Sequence, residues 1–176
     1  MKFQFGCCRL FFVFALLMGG ATSAFGEPAA DDAAQAKDSA AQAKPAEYDF
    51  AITSATKDKT HPYYGKGSDT GFVVNGVQGG TLVMVRGKTY TLDVDTGVMH
   101  DFYLATKPVG WGAATLIKDV KGQFTYKGVV TITPTAETPD TVYYACRNHK
   151  YMGGEIHIVN RGDEGKFKGV KSALTP

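Results

Sequence analysis

Cys146-Arg-Asn-His149-Lys-Tyr-Met152 places a thiol, an imidazole and a thioether three residues apart in one short stretch. All three are metal ligands of the soft or borderline kind. A thiolate bonds covalently to copper, imidazole suits both Cu(I) and Cu(II), and a thioether is a weak, long axial ligand that favours the reduced state. Two histidines and one cysteine in a plane with an axial methionine make a blue-copper (type 1) electron-transfer site. The stretch lacks one imidazole, and position selects His100, which follows the turn-like Asp95-Thr96-Gly97 and precedes the strand-like DFYLAT. The expected metal ligands are therefore His100, Cys146, His149 and Met152, holding one mononuclear copper. Cysteine and histidine also suit zinc, which is read here as a substitute.

Such ligands need a rigid frame. Alternation of apolar and polar residues, punctuated by Gly, Pro and Asp, predicts strands over 48–55, 71–74, 81–85, 88–94, 101–106, 129–133, 141–146 and 155–159. Asn75-Gly76 is a turn signal, and Leu82-Val-Met-Val, Arg86-Gly87, Thr89-Tyr-Thr-Leu reads as a hairpin. No long stretch has a period of 3.6. Short strands joined by long loops point to an all-β Greek-key sandwich or barrel of about eight strands. One long connection, 107–127, contains Trp111. The ligand stretch then leaves the strand Val142-Tyr-Tyr-Ala145 and enters the next through Gly153-Gly154, a loop able to fold its side chains around one ion.

The ends of the chain read differently. Residues 1–26 resemble a secretory signal: Lys2 and Arg9 precede the apolar run LFFVFALLM, which is broken by Gly19-Gly20. Cleavage is expected after Gly26 or Ala24; an uncleaved anchor is disfavoured by the shortness of the run. Residues 27–47 are an Ala-rich stretch without aromatic or β-branched residues, expected to be a flexible tether. Residues 48–160 form the folded domain, and 161–176 a basic, frayed tail. Removing the signal lowers the basic residues from 19 to 17, equal to the acidic ones. Without net charge or a basic stripe, nucleic acid is excluded as a natural partner. With no second apolar run, no stable membrane span is expected after cleavage. The expected location is periplasmic or secreted.

Removing the signal also takes Cys7 and Cys8 and leaves Cys146 alone. A lone cysteine in an oxidising compartment is buried and inert, paired with another chain, or a metal thiolate. The ligand spacing favours the last.

The segment TVYYACRNHKYMGGEIHIV resembles the C-terminal ligand loop of the cupredoxins, the type 1 blue copper family. Its C-x-x-H-x-x-M spacing is similar to that of amicyanin, whose loop is the shortest in that family. VRGKTYTLDVDTGVMHDFYLAT resembles the region that supplies the upstream histidine, so the likeness spans about residues 71–159. It implies an eight-stranded Greek-key β-sandwich in which His100 matches the upstream ligand and Cys146, His149 and Met152 match the loop ligands. It also implies that the exposed edge of His149 passes the electron to redox partner proteins such as a cytochrome, an oxidase or a reductase. Two positions depart from the family pattern. Asp101 stands where Asn often follows the first histidine and braces the loop, and Met99 stands where Pro commonly precedes it. The segment HPYYGKGSDTGFVVN (61–75) has no amicyanin counterpart and reads as an added loop over the site or an edge decoration.

Other candidates take plainer readings. His61, beside Pro62 and two tyrosines, reads as a surface-loop histidine, the alternatives being an extra ligand or a lid residue. His157 alternates with Ile156 and Ile158 and is expected to face solvent. Trp111 is expected to fill a loop core, the alternative being a docking or electron-path aromatic; Tyr151 is expected to shape the rim of the site or simply to pack; and Met84 and Met99 are expected to be core or loop residues.

The expected function is single-electron shuttling by a monomer. The alternative is a periplasmic copper carrier or resistance protein, against which the lack of a Met- or His-rich tether weighs. A structural module with incidental copper would not need the full ligand set. No enzyme activity is expected: four histidines cannot build a trinuclear copper cluster beside this site, one cysteine cannot build a two-thiolate centre, and a Cys146–His149 hydrolase lacks an orienting group.

Overall fold

The computed structural model describes residues 47–109 and 113–174. Nine strands form two sheets: β1 (Phe50–Thr56), β2 (Thr70–Val74), β3 (Val77–Gln78), β4 (Leu82–Val85), β5 (Tyr90–Asp95), β6 (Phe102–Ala105), β7 (Lys127–Ile132), β8 (Thr141–Cys146) and β9 (Gly154–Val159). The first sheet runs β3-β2-β1-β5-β7 and the second β4-β9-β8-β6. This is a Greek-key β-sandwich, the fold class expected from the strand pattern. Among the described residues, no helix is long and apolar enough to cross a membrane.

Alternation builds the core. Phe50 and Ile52 of β1, Tyr90, Leu92 and Val94 of β5, and Val130 and Ile132 of β7 meet Leu82, Met84, Val142, Tyr144, Ile156 and Ile158 from the other sheet in one buried cluster. β6 departs from alternation because it is covered on both faces. Phe102 and Leu104 join the main core, whereas Tyr103 and Ala105 pack with Ala145 and Leu116 beneath the 107–127 connection. Trp111 lies outside the described residues.

All eight expected strands are present within a few residues of their expected limits, and Val77–Gln78 adds a ninth. Asn75 and Gly76 turn β2 into β3 with φ of 45° and 82°, the positive pair a tight hairpin demands. The hairpin expected over 82–92 does not form. β4 pairs in parallel with β9, while β5 pairs with β1 and β7, so the Arg86-Gly87 turn arches from one sheet to the other. Arg86 N–H donates to Val159 O and Gly87 N–H to Pro134 O. Leu82 and Leu92 are both buried in the core but belong to different sheets rather than to one ladder. A hairpin and an arch present the same alternation, so periodicity does not separate them.

The tail also differs from expectation. Val170 bridges to Leu82 and donates its N–H to Thr81 O, covering the edge that β4 would leave open. Ala173 N–H donates to Asp49 O, and Ser172 Oγ donates to Asp49 Oδ1 at 2.7 Å. Phe167 stacks on His157 with ring centroids 4.3 Å apart. His157 does lie opposite Ile156 and Ile158, but the tail packs on its ring through Phe167 and leaves its side chain only 21% exposed. Asp49 ties this end down: its Oδ2 accepts from Thr91 N–H at 2.9 Å, and the residue is 4% exposed. Asp49→Ala is expected to cost about 2 kcal/mol, because buried donors to a carboxylate lose their acceptor. Urea denaturation, with limited proteolysis reporting release of residues 161–174, checks this.

Candidate metal centre

The site is built where β5 turns into β6 and where β8 ends. Thr96, buried, donates its Oγ1 proton to His100 O at 2.8 Å, closing a turn that presents His100 beside the start of β6. Met99 sits in that turn with φ of 75°. Proline is locked near −65° and cannot take this conformation, so it is excluded from the position.

Cys146 ends β8 opposite Phe102 and is fully buried. Two contacts carry this register beyond the strands. Arg147 N–H donates to Asp101 O at 2.8 Å, and Asn148 Nδ2 donates to Met99 O at 2.9 Å. The 146–152 loop is thus tied to the His100 turn by the side-chain amide of Asn148 and by the backbone carbonyl of Asp101. Lys150 O accepts from Ser68 N–H, and Met152 O accepts from Phe72 N–H at 2.6 Å.

The result is a convergent cluster. One donor atom from each of His100, Cys146 and His149 lies within 4.8 Å of the other two. Cys146 Sγ is 3.6 Å from His149 Nδ1, and the imidazoles of His100 and His149 lie 4.9 Å apart between centroids. His100 Nδ1 is buried and has no hydrogen-bond partner among the described residues. A buried nitrogen without a partner costs free energy unless something fills its lone pair. A borderline cation bound by an imidazole–thiolate–imidazole set would do so. Burial pushes the Cys146 thiol up. Burial, aided by the neighbouring His149, pushes His100 down. Without a cation the pocket thus favours the neutral forms of Cys146 and His100, and cation binding displaces the thiol proton.

Met152 is 1% exposed and belongs to the core cluster with Phe72, Phe102 and Tyr144, directly after the loop. The structure gathers the other three expected ligands and leaves Met152 buried beside them in sequence. His61 is not a surface residue. It is 2% exposed, and its Nε2 lies 3.1 Å from Met152 O. The 61–75 segment packs on the ligand loop through His61, Ser68 and Phe72. Thr96 and Asn148 were not among the expected functional residues. Short polar side chains in turns are common, and only the fold shows which carbonyl each one reaches.

No family model matches the chain. Among curated proteins, Protein Skeletor isoforms B/C and isoforms D/E of Drosophila melanogaster are each 29% identical over 160 residues, a match covering 56% of this chain. The chain spans 20% and 11% of the length of those relatives. Among solved structures, rusticyanin from Thiobacillus ferrooxidans aligns at 21% identity with a TM-score of 0.37, over 62% of this chain and 76% of that one. Reduced rusticyanin aligns at 20% identity and a TM-score of 0.37, over 62% and 78%.

Proposed function

We propose that the chain is a type 1 copper protein, periplasmic or secreted, that shuttles single electrons between redox partners. The observation that carries this reading is the convergence of His100, Cys146 and His149 around an unpartnered buried imidazole nitrogen. These three residues would hold the metal, with Met152 as a fourth ligand from the same loop as Cys146 and His149. When bound, copper supplies a one-electron Cu(II)/Cu(I) couple.

The chain's own part is to keep the donors still. Cys146 is fixed by the β6–β8 ladder, Arg147 by Asp101 O, and Asn148 by Met99 O. Donors that do not move between oxidation states keep the reorganisation small. His149 is only partly buried, and Val98 and Met99 beside His100 are 69% and 65% exposed, an apolar rim suited to brief docking.

Titration of the full chain with Cu(II), followed by visible absorption and electron paramagnetic resonance, tests the reading. One equivalent should give an intense thiolate-to-copper band that reductant bleaches. A colourless protein that binds Cu(I) tightly would point to copper carriage instead.

Docking through the rim gives a separate expectation. Met99→Lys places a charge on the exposed rim at a residue whose carbonyl holds Asn148, the neighbour of Arg147 in the chain. Electron self-exchange, measured by NMR line broadening, should slow about tenfold at low salt and recover at high salt, with the colour unchanged. An unchanged rate would remove Val98 and Met99 from the docking face.

A further inference from the structure

We propose that His61 is a positioning residue that fixes Met152 through the Met152 carbonyl; this rests on the reading that Met152 is one of the metal ligands. The tautomer follows from the partners. His61 Nδ1 accepts the Tyr63 N–H at 3.0 Å, so the ring proton is on Nε2, and Nε2 donates to Met152 O at 3.1 Å. The same carbonyl accepts the Phe72 N–H at 2.6 Å. Two donors from different elements therefore converge on one oxygen and fix the direction of that peptide. Met152 needs such a hold, because Tyr151 before it has φ of 62° and Gly153 after it has no side chain to anchor.

The ring of His61 is itself clamped. A Cβ on Gly71 would lie 2.5 Å from His61 Nε2, and one on Gly79 would lie 3.0 Å from it. Both positions, one in β2 and one in the turn after β3, are bare where the imidazole passes. The loop carrying His61 is closed by a buried lysine: Lys57 Nζ donates to Tyr63 O at 3.2 Å and to Lys66 O at 2.7 Å. Tyr63 then packs on Tyr151, with ring centroids 5.3 Å apart. A histidine that only filled space would not need a buried lysine closing its loop, a fixed tautomer and a donor aimed at a ligand's backbone. A supporting residue one hydrogen bond away from a metal ligand typically changes metal affinity by about ten- to a hundredfold.

The test compares His61→Leu, which fills the slot without a donor, with His61→Gln, whose amide can still donate to Met152 O. In the metal-free full chain, exchange of the Phe72 amide should accelerate about tenfold in His61→Leu and stay near wild type in His61→Gln. In the copper form, His61→Leu should bind Cu(I) about tenfold more weakly relative to Cu(II), a fall in potential of about 59 mV for one electron. Its paramagnetic spectrum should change as well, and His61→Gln should restore both. If Met152→Leu shifts the potential and spectrum while His61→Leu leaves them and the Phe72 exchange unchanged, His61 only packs and the proposal is overturned. If wild-type protein gives no type 1 spectrum, or Met152→Leu changes nothing, the ligand reading itself fails and the proposal falls with it. Should His61→Leu fail to fold, nitrogen-15 NMR of the wild-type chain decides. A proton on Nε2 supports the proposal, and a proton on Nδ1 overturns it.

Discussion

Cys146→Ser is expected to abolish the intense visible band altogether and to weaken Cu(II) binding by more than about a hundredfold. The band requires a thiolate, and a serine hydroxyl does not ionise in this pH range to replace it. Cys146 is the fully buried member of the convergent cluster, 3.6 Å from His149 Nδ1, and no other cysteine among the described residues can supply a thiolate there. Fold should survive. The hydroxyl is close in size to the thiol and finds Met99 O or His149 Nδ1 nearby, so the metal-free protein should lose only about 1–2 kcal/mol. The variant also separates metal binding from proton release. Because burial keeps the wild-type thiol protonated, copper uptake near neutral pH should release about one proton, and Cys146→Ser should not. Calorimetry in two buffers of different ionisation enthalpy reads this directly. An intensely coloured serine variant would remove the thiolate from the site.

The second large effect is expected at a residue with no chemistry of its own. A Cβ on Gly153 would lie 1.6 Å from Tyr144 O, inside the backbone of β8. Tyr144 cannot give way easily. It pairs with Leu104 and Gly154, and its hydroxyl donates to Gly80 O at 2.9 Å. Gly153→Ala must therefore push the ligand loop away from β8 or part the start of the β8–β9 ladder. The cost should be about 3 kcal/mol, lowering the thermal midpoint by about 10 °C. The displacement begins one residue after Met152, so any copper bound should show an altered paramagnetic spectrum. Gly165→Ala, where a Cβ meets nothing, is the control and should change neither. A Gly153→Ala protein as stable as wild type would mean that the loop has a second packing arrangement.

The comparison of Cys146 with His61 shows where sequence reasoning stops. Cys146, His149 and Met152 lie within seven residues, and their unusual types are informative in any fold. His61 lies 91 residues from its partner at Met152. Nothing local distinguishes a histidine beside Pro62 that points outward from one that reaches a carbonyl across the fold. The 82–92 segment fails for a related reason. Alternation reports which face of a strand is buried, and Leu82 and Leu92 are both buried, but it does not report which neighbour supplies the hydrogen bonds. The tail read as frayed because Phe167 and Val170 are sparse among polar residues, and their value depends on the open edge of β4.

What the sequence determined by itself is the set of donor types, their spacing in one loop, eight strand locations and the turn at Asn75-Gly76. These follow from local chemistry: ligand preference, period two, and the positive φ that Asn-Gly tolerates. Only the tertiary structure decided which sheet each strand joins, that the tail closes an edge, and that Thr96, Asn148 and His61 reach the backbone of the site. Those contacts join carbonyls and amides that are chemically the same along the whole chain, so only their placement in space can select among them.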